Sequence, residues 1–359
     1  MNPLGDRSLI HVIEPTLQDY AGHCYGLVRS FCDAANREVK LWGGRGSAAL
    51  AFGEVDSVSH FDRRLRLIQL LMLLHRLLRK PQPVLIMTAR RSDLALARLA
   101  ARGRIPAGRL FLYFHWFRES PSRLAYLTRA ARAQPHIGIL ATTPTVAEIF
   151  SRAGFANVVL LPYPLTATRP HEDTGGSGFS HLLYAGAARN DKGFTLVVDL
   201  VEHLAREHSA VPIAIQISAD HYGKYDSETR SDISRLAQID YPHLRILRHT
   251  LQPAEYAELF RGAICLQPYD RSAFRDRVSG VTMDALTYGC PVIVPADTWM
   301  ARLIHPQSAG IELDKMNVET LASAAQYLIA NYAAYQLRAA TAGKLLRQRS
   351  WEPFLKLLR

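Results

Sequence analysis

The residues best suited to chemistry lie in two glycine-punctuated stretches of the C-terminal half. The first, Leu182-Leu183-Tyr184-Ala185-Gly186-Ala187-Ala188-Arg189-Asn190-Asp191-Lys192-Gly193-Phe194, reads as an apolar strand, a glycine turn, two cations three residues apart, and a second glycine before a helical pattern. Arg189 and Lys192 suit a diphosphate that Gly186 lets come close to the backbone. The second stretch joins Gln267-Pro268-Tyr269-Asp270, Ser279-Gly280-Val281-Thr282-Met283-Asp284-Ala285-Leu286 and Gly289-Cys290-Pro291-Val292-Ile293-Val294. It reads as a strand end, an irregular loop, a helix opened by Ser-Gly, and a further strand. A small residue at the helix start admits a ligand, and the free N–H groups of the first turn attract anions. Asp284, one turn in, offers an acceptor for sugar hydroxyls. Two such loops, about ninety residues apart and each at the C-terminal end of a strand, match where open α/β sheets bind ligands. A phosphorylated ligand carrying a polyol fits both, which points to a nucleotide sugar.

These motifs resemble the GT-B glycosyltransferases typified by family 4, the group 1 glycosyltransferases. Gly186-x-x-Arg189-x-x-Lys192-Gly193 matches that family's donor-phosphate loop. Its E-x7-E element falls on Asp276 and Asp284, followed by Ala285 and the Gly289-x-Pro291-Val292 ending. Both glutamates are aspartate here. The shorter side chain reaches less far at 276, whereas ribose contact at 284 needs only an acceptor.

The resemblance implies an α/β protein of two Rossmann-like, doubly wound parallel-sheet domains facing a cleft. Residues 1–165 would form the acceptor-side domain and 166–340 the nucleotide-sugar domain. Residues 341–359 would form a helix that crosses back to the N-terminal domain, where Trp351-Glu352-Pro353-Phe354 suits the docking. The resemblance also implies a catalytic set of His115, Arg189 and Lys192. Donor contacts would come from Gly22, His23, Gly186, Asp276, Ser279, Gly280, Val281 and Asp284. Glu119, close to His115, would bind an acceptor hydroxyl. Arg189, Lys192 and the helix start at Ser279-Gly280 would carry the negative charge of a leaving diphosphate, so no metal or other cofactor is expected, and the resemblance implies that the anomeric configuration is retained.

The elements that must hold these residues follow from hydrophobic pattern. Strands are expected at 9–13, 83–88, 109–114, 137–142 and 158–161. Beyond a polar, glycine-rich junction at 166–179, others are expected near 181–186, 211–218, 244–248, 263–267 and 291–295. Helical patterns separate them, and continuous apolar strands alternating with helices indicate parallel sheets covered on both faces. Thr143-Pro144 opens one helix, and the last helical pattern, from about Val318, is expected to break at Thr341-Ala342-Gly343.

A chain of 359 residues, 48% hydrophobic and 21% charged, is an ordinary globular protein with room for two domains. Cys24, Cys32, Cys265 and Cys290 show no metal-ligand spacing and read as reduced thiols. No charged start followed by an apolar core opens the sequence, so a cytoplasmic location is expected. The net charge of +11 lies wholly in the first half: residues 1–165 hold 22 Lys/Arg against 11 Asp/Glu, and residues 166–359 hold 21 against 21. An acidic partner for that half is implied. Within it, the segment 63–80 places Leu67, Leu71, Leu74 and Leu78 at helical spacing between clusters of cations. Such a helix is too short to span a bilayer, but it can pack on the sheet while its arginines face anionic lipid on the inner side of a membrane.

The expected partners are therefore a UDP- or GDP-linked sugar, a glycan or lipid-linked acceptor of the kind used in cell-envelope polysaccharide or glycolipid synthesis, and an anionic membrane surface. Nucleic acid is not expected, because no recognisable RNA- or DNA-reading motif accompanies the basic residues. Two other readings stay open: a sugar-nucleotide epimerase of the same fold, which would need no acceptor, and a non-catalytic glycan- or nucleotide-binding protein.

Overall fold

The computed structural model describes residues 9–20, 23–164, 178–217, 225–249 and 251–358. It divides into two compact units, Met1–Thr168 with Arg349–Arg359, and Arg169–Gln348. Each is built on one parallel sheet.

In the first unit the strands are β1 (Ile10–Glu14), β2 (Val39–Gly44), β3 (Asp56–Phe61), β4 (Val84–Ile86), β5 (Leu110–Phe114), β6 (Gly138–Ala141) and β7 (Asn157–Leu160). Their order is β3-β2-β1-β4-β5-β6-β7, and every pair is parallel. The second unit holds β8 (His181–Tyr184), β9 (Ile213–Gln216), β10 (Leu244–Leu247), β11 (Ala263–Leu266), β12 (Val292–Pro295) and β13 (Gly310–Leu313). Their order is β10-β9-β8-β11-β12-β13, again parallel throughout. The chain winds outward from β1 or β8, then returns and winds the other way, so each sheet has a switch point: β1/β4 in one, β8/β11 in the other.

Several central strands are apolar along their whole length because helices cover both faces. The five residues of β5, Leu-Phe-Leu-Tyr-Phe, are all buried, as are the four of β11 and of β12. Helix starts follow side-chain caps: Thr143 accepts from the Val146 amide with Pro144 just inside the helix, and Ser279 does the same for Thr282.

Three strands were not anticipated. β3 and β13 are edge strands whose partly exposed positions remove the continuous apolar run, and in β2, beside β3, Lys40 and two glycines interrupt it. β2 and β13 also contain glycines that suggest turns. Gly310 is needed for another reason: a Cβ there would lie 2.0 Å from the Val292 carbonyl oxygen across the ladder.

The C-terminal region departs from expectation. The helix Tyr332–Arg347 runs unbroken through Thr341-Ala342-Gly343, and the interruption falls at Asn331. Gly343 serves packing, since a Cβ would sit 2.2 Å from the Leu286 carbonyl oxygen of the helix Gly280–Thr287. Residues 341–348 therefore belong to the second unit, and the segment assigned to the first begins at Arg349 instead of 341. There the Trp351 indole N–H donates to Ser30 Oγ at 2.7 Å, and its ring meets Phe31 edge-on at 5.1 Å. Phe354, fully buried, packs edge-on against Phe111 of β5 at 4.9 Å.

The basic leucine-rich segment forms the helix Arg66–Leu77, with a different buried face from the one expected. Leu70, Leu73, Leu74 and Leu77 enter the core, while Leu67 stays half exposed. Apolar residues on nearly every side of this helix made its inner face ambiguous by pattern alone.

Candidate functional site

The two stretches singled out by sequence emerge from β8 and β11, the neighbouring strands that flank the switch point of the second sheet. At such a point the two following loops diverge and leave room for a ligand above the strand ends.

Gly186, two residues past the end of β8, has φ +107°, a backbone region that disfavours side chains. Its amide is fixed by Gln216 Oε1 of β9 at 2.9 Å. A Cβ at this glycine would lie 3.1 Å from Lys192 Nζ and 3.7 Å from Val281 Cγ2. The missing side chain thus opens a space bounded by the lysine and by the start of the helix Gly280–Thr287. Further on, Gly193 (φ +66°) seats the loop on the second one, since a Cβ there would overlap the Pro268 carbonyl oxygen at 1.9 Å. The Asp270 amide also donates to the Asp191 carbonyl at 3.0 Å. The two loops form one body.

Charge is arranged around that space. Lys192 is half-buried over the ring of Tyr269, with 5.4 Å between Nζ and the ring centroid. Burial first, and then repulsion from Arg189, lower its pKa from 10.5 to about 8. Arg189 is held by Asp191: its Nε donates to Oδ1 at 2.8 Å and its Nη2 to Oδ2. The same Oδ2 accepts from Arg277 Nη1 at 3.0 Å. Three cations and one carboxylate therefore leave an excess of two positive charges, the complement of the two negative charges of a diphosphate diester. The first-turn amides of Gly280 and Val281 add donors that have no intrahelical acceptor. Below them, Thr282 Oγ1 donates to the buried Gln267 Oε1 at 2.6 Å and ties the helix start to the end of β11.

The other expected residues fall as follows. Ser279 caps the helix through its Oγ, 3.3 Å from the Thr282 amide. Asp284 is half-buried and accepts from the Tyr256 hydroxyl at 3.0 Å. Asp276 is salt-bridged to Arg302 at 2.8 Å. In the first unit, His115 follows β5 with its carbonyl accepting from Thr142 Oγ1 at 2.9 Å. Its ring is held edge-on by Tyr113 and Tyr163, at 4.7 and 5.3 Å. Glu119 is exposed and ion-paired with Arg152. Gly22 lies outside the described residues, as does the side chain of His23, which begins the helix His23–Ala34. Gly186, Lys192 and Val281 are thus brought together directly, while Arg189, three residues before Lys192 in the same loop, is held with Arg277 on Asp191.

Two residues, Arg277 and Glu14, were not found by sequence reasoning. Arg277 sits between the two aspartates of the matched element, and only its partner Asp191 reveals its role. Glu14, fully buried at the end of β1, accepts from Thr88 Oγ1 at 2.6 Å and from the Thr16 amide at 3.0 Å. It spans the β1/β4 switch point and pins the first turn after β1. An acid ending an apolar strand is the available signal for it.

No protein-family model matches the chain, and no curated protein matches it in sequence. Solved structures do match in fold. HepE from Anabaena, solved in complex with UDP and glucose, superposes with a TM-score of 0.66 at 14% identity over 96% of each chain. Sucrose-phosphate synthase from Thermosynechococcus elongatus gives 0.68 at 14% identity, over 98% of this chain and 97% of its own. WaaG, a glycosyltransferase involved in lipopolysaccharide biosynthesis, gives 0.66 at 11% identity, over 97% and 99%. The chain has the GT-B fold of two Rossmann-like α/β domains.

Proposed function

We propose that the protein is a glycosyltransferase that moves a sugar from a nucleotide-diphosphate donor to a glycan or lipid-linked acceptor. One observation carries this reading: at the β8/β11 switch point, the gap above Gly186 is closed by a lysine on one side and a helix start on the other. That combination of backbone access, compact positive charge and free amides is what a diphosphate requires. UDP bound to HepE makes a UDP-linked hexose the first donor to test.

Breaking the bond between the anomeric carbon and the diphosphate oxygen leaves positive charge on the sugar and negative charge on the departing group. Lys192, Arg189, Arg277 and the Gly280–Val281 amides receive the second charge, already oriented before the bond breaks. Because these groups supply the countercharge, the reaction as proposed calls for no metal ion. Asp284, steadied by Tyr256, accepts from the donor ribose, and His115 serves the donor sugar or its phosphate. The acceptor oxygen bonds to the anomeric carbon on the face the diphosphate leaves, and its proton passes to the leaving phosphate oxygen. Configuration is then retained, as the resemblance to family 4 implies. With its excess of positive charge the first half suits an acceptor of the cell envelope, made at the cytoplasmic side.

A thermal-unfolding panel of nucleotides and nucleotide sugars tests the reading, since a ligand selective for the folded state raises the melting temperature. A shift with UDP or GDP sugars, followed by transfer to an added acceptor, is expected. Conversion of the donor with no acceptor present would identify an epimerase instead. No shift with any nucleotide diphosphate would remove the basis of the proposal.

A further inference from the structure

The outward face of the helix Arg66–Leu77 and its flanks is apolar in the middle and cationic at both ends. Leu65, Leu67, Ile68 and Met72 are 53, 50, 59 and 59% exposed. Leu65, Ile68 and Met72 follow one another at three- and four-residue spacing, so they line one stripe. Exposed Arg63 and Arg64 precede this stripe, and Arg76, Arg79 and Lys80 follow it, all exposed. Between Asp62 and Asp93 the chain holds eight Lys/Arg and no acidic residue. Of those bounding acids, Asp93 is buried and bound to Arg66 at 3.2 Å, and Asp62 lies 3.4 Å from Arg45. The adjacent helix Arg91–Ala100 approaches through a 3.2 Å contact between His75 Nδ1 and the Ala100 carbonyl, and it carries Leu99, 71% exposed.

We infer that this face docks on an anionic phospholipid bilayer, with Leu65, Ile68 and Met72 entering the acyl boundary and the flanking arginines and Lys80 meeting headgroup phosphates. An apolar stripe bounded by cations has the chemistry of a bilayer interface, apolar below and negatively charged above. Charge complementarity selects this occupant. A second copy of the chain meeting the same face would set cations against cations at the ends of the stripe, with no carboxylate among residues 63–92 to pair with them. Single-stranded nucleic acid would want aromatic platforms, and the exposed side chains of the stripe are aliphatic. Among the described residues no helix is long and apolar enough to cross a membrane, so the contact lies in the plane of the interface. Docking here stands apart from sugar transfer, and either can fail alone.

Flotation of the full chain with phosphatidylglycerol–phosphatidylcholine vesicles, against pure phosphatidylcholine, tests it. The wild type is expected to float with the anionic vesicles only, less so as salt rises. Ile68→Ser with Met72→Ser, both at exposed positions, is expected to weaken partitioning by about tenfold, as is Arg79→Glu with Lys80→Glu. Unchanged melting temperatures would confirm that both pairs fold. Wild-type binding that is absent, indifferent to lipid charge, or unaltered by the serine pair would overturn the inference. So would a dimer in light scattering that the serine pair dissociates, because that would make the stripe a protein interface.

Discussion

Replacing Lys192 by Met removes the ammonium and keeps most of the aliphatic stem, and it should move stability and activity in opposite directions. Burial and Arg189 hold the lysine pKa near 8 instead of 10.5. At pH 7 the group is charged in the folded and unfolded chain alike, so this depression is a standing cost to the folded state of roughly 3 kcal/mol. The Tyr269 ring beneath Nζ offsets part of it, about 0.5–1 kcal/mol for a cation over an aromatic face. Lys192→Met should therefore stabilise the ligand-free protein by about 2 kcal/mol, a rise in melting temperature of roughly 4–8 °C for a unit of this size. The donor side goes the other way. A charge-assisted contact to a diphosphate in a half-buried site is worth about 2–3 kcal/mol, so turnover and UDP affinity should each fall by about 30- to 150-fold. Thermal unfolding with and without UDP, beside initial rates with the donor found by screening, reads both quantities. Activity within a few-fold of wild type, or a lower melting temperature accompanying the loss of binding, would refute the assignment. The second result would mean that the lysine is a structural cation.

The same lysine predicts a pH signature. A base whose folded pKa is lowered costs stability fully below about pH 8, and the cost is relieved as pH rises towards 10.5. The wild type should therefore gain on Lys192→Met over that interval in denaturant melts, while its UDP affinity declines as the ammonium is lost. Asp191→Asn releases Arg189 and Arg277 from their shared carboxylate. UDP should then bind more tightly, by roughly tenfold at low ionic strength with the gain shrinking in salt, as titration calorimetry would report. Phe354→Ala empties a fully buried site against Phe111 and Phe31 and should cost about 3–5 kcal/mol. Faster hydrogen exchange in the helix His23–Ala34 should accompany it. Gly343→Ala drives a methyl into the Leu286 carbonyl and should destabilise the chain by about 1–3 kcal/mol in urea melts, whereas a glycine that merely ended a helix would tolerate the change.

Much of the fold was legible because buried parallel strands write themselves as unbroken apolar runs. β5 could be read from Leu110 to Phe114 without ambiguity, and so could the loops that follow β8 and β11, since their glycines and cations interrupt such runs sharply. Legibility failed where a residue answers to a neighbour distant in sequence. Gly310 and Gly343 read as punctuation but are set by backbone from Val292 and Leu286. Polar alternation in β3, Asp-Ser-Val-Ser-His-Phe, belongs to a strand with only β2 beside it and carries no signal of a buried sheet. The helix Arg66–Leu77 hid its inner face because leucines surround it, and only the core contacts of Leu70, Leu73, Leu74 and Leu77 single out one side.

The aspartates at 276 and 284 show how a motif can be recognised while its chemistry shifts by one residue. A glutamate at 276 would extend further from the loop, whereas Asp276 is engaged by Arg302. Its neighbour Arg277 turns to Asp191, the residue that also orients Arg189. Consecutive side chains thus serve different partners, and the one that shares Asp191 with Arg189 is a cation. In the proposed site this stretch of loop then contributes its positive charge from the residue after the matched carboxylate, which Arg302 occupies. Replacing Asp276 by Ala should accordingly leave UDP affinity nearly intact, while Arg277→Ala should lower it about tenfold, the magnitude of one ionic hydrogen bond in a half-buried site. Competitive binding of UDP to the two variants separates the cases, and equal losses in both would mean that position 276 still acts on the nucleotide.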